Sequence, residues 1–195
     1  MLTRRDPARA ALDSAARGFS LIEVLVSMFI VSMGILALAG LLQSASRYGK
    51  MSELRSTATL LANDIADHIR SNPGGATGNF YNVTNAFPAT AAYDSRKTPG
   101  DQCTAACDPD ELAYVDLAIW SARALATLPS GTPFIQYNAA GGGGTQNGTV
   151  DVWLAWQDPN TTADSSTERP TGECPAGLKV DTDKSVRCVY LQVGL

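Results

Sequence analysis

The sequence predicts an α+β protein: a long N-terminal helix, transmembrane and then amphipathic, packed on a small antiparallel-sheet head. Three observations lead there. None of the ten prolines falls between Pro7 and Pro73, and 13 of the 17 glycines follow Pro73, so the first third can be one uninterrupted helix. From Phe19 through Ser46, a run of 28 residues, the only ionisable side chain is Glu23. Late in the chain, helical spacing gives way to short alternating apolar runs joined by Gly- and Pro-rich loops. The 195 residues carry 45% hydrophobic and 17% charged side chains, which suits one modest domain plus an accessory segment and excludes wholesale disorder. A net charge of −4, with basic residues scattered beyond the N-terminus, lacks the basic face of a nucleic-acid binder. One histidine, His68, supplies neither a His-rich metal site nor a relay, so a non-enzymatic role without cofactor or metal is expected.

Residues 1–18 hold Arg4, Arg5, Arg9 and Arg17 against Asp6 and Asp13, and positive flanks stay cytoplasmic, which puts the remainder of the chain outside. The apolar run 19–46 exceeds the roughly 20 residues that cross a hydrocarbon core. Met51, Leu54, Ala58, Leu61, Ile65 and Ile69 then recur at spacings of three and four, so the helix continues through 47–72 and stops at Asn72-Pro73-Gly74-Gly75. Residues 73–195 form the head. Within it Asp108-Pro109-Asp110-Glu111 is a helix start with an N-cap, Pro at the first position and Glu placed for a capping box. The expected face of that helix is Leu112, Val115, Ile119, Ala122 and Leu125 or Ala126, ending at Pro129-Ser130-Gly131. Strands are expected at Phe134–Tyr137, at Val150–Trp156 with Val152, Leu154 and Trp156 on one face, and at Val186–Val193, joined as an antiparallel meander.

Three readings of the N-terminus compete. A plain anchor leaves Glu23 unexplained, since a charge in a bilayer is expensive and marks function. A secretory signal, with Ala37-Leu38-Ala39 before Gly40, would discard the apolar run. The third rests on Gly18-Phe19-Ser20-Leu21-Ile22-Glu23-Val24-Leu25-Val26-Ser27, which resembles the processing signature of type IV prepilins: a basic leader ending in Gly, an aromatic residue, and an apolar helix with Glu at its fifth position. The resemblance implies a pilin-like lollipop fold. It also implies that a prepilin peptidase removes leader 1–18 by cleaving after Gly18 and N-methylates Phe19, and that Phe19 and Glu23 serve assembly. The physical sense is independent of the family. Cleavage makes an α-amino cation at the positive end of a helix in an apolar medium, and Glu23 lies four residues on, able to neutralise it or that of a neighbouring subunit. Gly18, without a Cβ, lets an extended chain enter a protease site.

Patches in 108–195 resemble PilV-type minor pilins: Asp116-Leu117-Ala118-Ile119-Trp120 running into Leu128-Pro129-Ser130-Gly131, the Val152–Asp158 strand, and Cys188-Val189-Tyr190-Leu191. The implied role is pilus assembly in a priming or tip complex. Its partners are prepilin peptidase, other minor pilins, a tip adhesin, the major pilin filament and the inner membrane, with the head periplasmic and later on the cell surface. A minor pseudopilin of type II secretion shares the same leader and helix. A membrane-anchored periplasmic binding module outside any filament is the alternative of another class.

Cys103, Cys107, Cys174 and Cys188 all follow the membrane segment, in an oxidising compartment, and allow three disulfide pairings. Cys103–Cys107 with Cys174–Cys188 is preferred, because the second pair ties a moderate loop onto the last strand. Their spacing does not make two zinc knuckles. Asp181–Ser185 reads as a solvated turn and Gly141–Gly144 as a flexible loop without the Lys of a phosphate cradle. Asn82, Asn147 and Asn160 begin chance sequons. Trp120, Trp153 and Trp156 can serve as a binding platform or, more commonly, as core, and His68 falls on the polar side of the stripe.

Overall fold

The computed structural model describes residues 18–91, 93, 107–139, 148–159, 172–180 and 183–195. Cys103, the four-glycine run, Asn147, Asn160, Asp181 and Thr182 lie outside them. Two compact units divide between Ala45 and Ser46.

The first unit is the opening of α1, which runs Leu21–Ser71 and spans about 75 Å at 1.5 Å per residue. Gly34 and Gly40 do not interrupt it. Before Ser46 no described residue is buried. The helix is long and apolar enough there to cross a membrane.

In the second unit α1 changes character. Leu54, Ala58, Ala62, Ile65, Ala66 and Ile69 are buried, at the helical spacing the sequence led us to expect. Met51 and Leu61 sit at the margin of that stripe. The head around it is α2 (Pro73–Thr77), β1 (Val83–Thr84), α3 (Pro109–Thr127), β2 (Thr132–Asn138), β3 (Thr149–Gln157), a 3-10 turn at Ala176–Leu178, and β4 (Val186–Gly194). The sheet has the order β1-β2-β3-β4 and every pairing is antiparallel, so the expected meander is present with one extra short strand. Ile135, Val152 and Leu191 share one cross-strand row, flanked by Val150 opposite Val193 and Leu154 opposite Val189. That face joins the α1 stripe, Leu117 and Trp120 in the main core.

Two differences from the sequence reading have physical causes. The Asn72-Pro73-Gly74-Gly75 cluster ends α1 but starts α2: Asn72 Oδ1 accepts from the Gly75 N–H at 3.0 Å, with Pro73 at the first helical position. A Cβ on Gly75 would lie 2.7 Å from the Pro109 carbonyl oxygen, so only glycine allows α2 to approach α3 this closely. The buried face of α3 is Ala113, Asp116, Leu117, Trp120, Ser121 and Ala124, in place of the expected Leu112, Val115, Ile119 and Ala122. Ile119 is 39% exposed. Apolar count alone misplaced the face because two polar residues on it have internal partners. Ser121 Oγ accepts from the Tyr93 N–H at 2.7 Å, and Asp116 Oδ2 accepts from the Tyr81 hydroxyl at 2.5 Å. The helix start itself is as expected, with the Asp108 N–H donating to Glu111 Oε2 at 3.4 Å.

Asp116 is the centre of a network that ties four segments together. His68 Nδ1 lies 3.0 Å from its Oδ1, and Asn72 Nδ2 donates to the Tyr81 hydroxyl oxygen at 3.3 Å and to the Pro109 carbonyl at 2.7 Å. His68 is exposed, as its place on the helix implied. Trp120 Nε1 donates to the Leu61 carbonyl at 2.8 Å, and Arg123 pairs with Asp64 at 3.2 Å. Trp120 and Trp156 are core, whereas Trp153 stands on the other face of the sheet, partly open.

A second, smaller cluster packs Leu178 and Val180 over Phe134, Ala155, Val186 and Cys188. Here Cys174 is bonded to Cys188, with Cα atoms 5.3 Å apart. Cys107 is also disulfide-bonded, and its expected partner Cys103 lies outside the described residues. Beside the first bond Glu173 Oε1 accepts from Arg187 Nε at 3.1 Å and from the Cys188 N–H at 3.2 Å.

Three outcomes are expected. Asp116→Ala leaves His68 and the buried Tyr81 hydroxyl without their shared acceptor and destabilises the head by about 2–3 kcal/mol, read as a lowered unfolding midpoint by near-ultraviolet circular dichroism. The Cys174→Ser/Cys188→Ser double variant loses about 3 kcal/mol in denaturant titration followed by tryptophan fluorescence. Burial, and then donation to Asp116, holds the Tyr81 hydroxyl well above the ordinary phenol range. The folded state therefore prefers it protonated: its contribution is complete below about pH 10 and is lost as pH rises further. Alkaline unfolding should accordingly be less steep in Tyr81→Phe.

Candidate functional site

The N-terminal site is assembled by local backbone chemistry. Gly18, Phe19 and Ser20 precede the helix in non-helical conformation, and the Ser20 carbonyl accepts the first helical bonds, from the Glu23 and Val24 N–H groups at 3.0 and 3.3 Å. No described residue lies within 4 Å of where a Gly18 Cβ would stand, and Phe19 is 81% exposed. The peptide bond between them is thus presented in an open, non-helical stretch directly ahead of a helix.

Glu23 falls in the first turn of α1, where unsatisfied N–H groups make the helix end positive and favour an anion. No cation among the described residues pairs with its carboxylate. Phe19 lies two residues before the first helical residue.

Beyond Glu23 the apolar side chains Leu25, Met28, Phe29, Ile30, Ile35, Leu36, Leu41 and Leu42 are all more than half exposed. Polar groups in this stretch are turned inward on the backbone. The hydroxyls of Ser27, Ser32 and Ser44 each donate to the carbonyl four residues earlier, at 2.7, 2.7 and 3.1 Å. Such a surface suits lipid or other helices, since it asks nothing of water.

The remaining expected site residues lie elsewhere. Cys174 and Cys188 meet at β4, and Cys107 immediately precedes the N-cap of α3. Among the described residues no group of three or more His, Cys, Asp or Glu side chains could hold a metal ion. Sequence reasoning missed the Asp116 network, whose one visible signal was an acid in register with Trp120 and Ala124 along α3.

Residues 13–39 match the family described as the prokaryotic N-terminal methylation motif. No curated protein and no solved structure gives a significant match. The match spans the Gly18-Phe19 bond, Glu23 and the first part of the exposed apolar helix, so the chain carries a type IV prepilin-like methylation motif at the head of a candidate membrane-spanning helix.

Proposed function

We propose that the protein is a minor pilin of PilV type, cleaved after Gly18 by prepilin peptidase, N-methylated on Phe19, and assembled through α1 into the priming or tip complex of a type IV pilus. Residues 1–18 are its leader, 19–46 its membrane and assembly helix, 47–72 the amphipathic continuation, and 73–195 a head on the periplasmic side that reaches the cell surface with the pilus. Its role is structural.

The observation that carries this reading is the pairing of an open Gly18-Phe19 bond with a single acid, Glu23, on an otherwise uncharged exposed helix that matches the methylation motif. Cleavage would place a cationic amine at the helix start. In a low-dielectric medium that cation and the Glu23 carboxylate are each costly alone and much less so together. Pairing between neighbouring subunits would make burial of one helix against another depend on correct stagger, which turns an electrostatic requirement into register.

Mass spectrometry of the membrane-extracted protein is expected to find a chain starting at N-methylated Phe19. A start at Met1 or Gly40 would refute the reading. Glu23→Ala should leave cleavage intact and lower surface piliation at least about tenfold, scored by electron microscopy of sheared filaments; normal piliation would remove the docking role, and a secretion defect with normal pili would assign the chain to a pseudopilus.

A further inference from the structure

The sheet face opposite the main core divides in two. One end, Phe134, Ala155 and Cys188, is covered by Leu178 and Val180. Among the described residues the other end is open. Trp153, opposite Phe134 and packed against the covered cluster, marks the boundary, with Tyr190 directly across from it; the next row along is Gln136, Asp151 and Gln192, with Asn138 opposite Thr149 beyond it.

The aromatic pair is fixed. Trp153 and Tyr190 have ring centroids 4.9 Å apart at an interplanar angle of 31°, and Trp153 meets Phe134 edge-on at 5.7 Å. Tyr190 remains 49% exposed. The polar row is fixed as well, around one carboxylate. Asp151 Oδ1 accepts from the Tyr190 hydroxyl at 2.8 Å and from Gln192 Nε2 at 3.0 Å, and Oδ2 accepts from Asn138 Nδ2 at 2.6 Å. Long polar side chains on a solvated strand ordinarily keep their rotamer freedom, so holding three donors on one acid prearranges them. Desolvation, and then the bond to Asp151, raise the Tyr190 hydroxyl above its usual range.

Charge narrows the ligand class. Among the described residues these rows contain one acid and no Lys or Arg, which disfavours phosphate, sulfate and other anions. The amides of Gln136, Gln192 and Asn138 retain both donor and acceptor capacity, the complement of a hydroxyl group. Alternate residues along a strand are about 7 Å apart, so a six-membered sugar ring laid against the exposed side of Tyr190, with Trp153 buttressing that ring from behind, would carry its hydroxyl rim over Asp151 and Gln192. A pyranose has both features: flat C–H faces for aromatic rings and a rim of neutral hydroxyls.

We propose that the open end of this sheet face is a binding site for a neutral glycan, with the exposed side of Tyr190, backed by Trp153, as the stacking surface and Asp151, Gln192 and Asn138 as partners of ring hydroxyls. Binding there does not require entry into a filament. The test uses the full chain in a non-glycosidic detergent, probed by saturation-transfer NMR and tryptophan fluorescence. The probes are the methyl glycosides of glucose, galactose, mannose and N-acetylglucosamine, beside heparin fragments and inorganic phosphate. At least one neutral glycoside is expected to receive saturation at its ring C–H protons with a Kd of about 0.1–10 mM. Tyr190→Ala should weaken it at least about tenfold, and Gln192→Ala, an exposed change that leaves the aromatic pair intact, by about threefold or more. The proposal is overturned if no neutral glycoside binds up to about 50 mM, if heparin or phosphate binds in their place, or if binding is unchanged in Gln192→Ala and in a folded Tyr190→Ala.

Discussion

The first turns of α1 bury no side chain, and this constraint governs the composition of the whole N-terminal stretch. With no described residue buried before Ser46, the backbone N–H and C=O groups beyond the first turn have to be satisfied within the helix, because neither lipid nor an apolar neighbour would do so. Hence no proline falls in the stretch, the serine hydroxyls bond back to their own helix, and charge is confined to one residue. Glu23 occupies the one turn where a carboxylate is locally favourable, beneath the positive N-terminal end. Its placement thus has a reason within a single subunit that agrees with the assembly role proposed for it. An acid one or two turns later would carry the same desolvation burden without that compensation.

From Ser46 onward the same helix meets a different surrounding: charged side chains return on one face and small apolar ones fill the other. Ala58, Ala62 and Ala66 are almost wholly buried, and their small volume brings neighbouring backbone close. That closeness is what lets the Trp120 indole reach the Leu61 carbonyl of α1, a bond between two helices that bulkier residues on the stripe would hold apart. The lower end of the stripe is closed by polar groups. Asn72 caps α2, bonds the first residue of α3 and touches Tyr81, while Asp116 gathers Tyr81 and His68. Each member has partners, and the arrangement fixes where three helical segments meet more specifically than apolar contact could.

Much of this was legible in the sequence, for reasons that can be named. The extent of α1 followed from missing prolines and periodic apolar residues, the start of α3 from an N-cap, Pro and Glu in order, and three strands from alternation; each is local, and each was found within a few residues of its place. The face of α3 was not legible, because Asp116 and Ser121 look like surface residues until Tyr81 and Tyr93 are brought beside them from distant segments. β1 was missed since two residues carry no periodicity, and its pairing with Phe134 and Ile135 is entirely tertiary. At the N-terminus the motif residues were evident, whereas the non-helical placement of Phe19 was not, helix ends being the least legible part of a periodic pattern.

Trp153 and Trp156 show how parity sorts residues of one type into different uses. Trp153 and Trp156 are three apart on β3, so the pleat sends them to opposite faces, and the burial of Trp156 beside Val152 and Leu154 requires Trp153 to point away from the main core. On that far face, among the described residues, cover comes from Leu178 and Val180, which reach Phe134 but leave Tyr190 half open. A large aromatic pair is therefore displayed as a consequence of packing the opposite side, and evolution can vary Asp151, Gln192 and Asn138 around it without disturbing the row of Ile135, Val152 and Leu191 beneath. The chemistry of the N-terminal motif is equally self-contained, since the Gly18-Phe19 bond, Glu23 and the helix end that favours its carboxylate all belong to one short stretch of chain. Selection for assembly and selection for recognition would then act on separate residues, which allows a shared N-terminal segment to carry heads of very different surface.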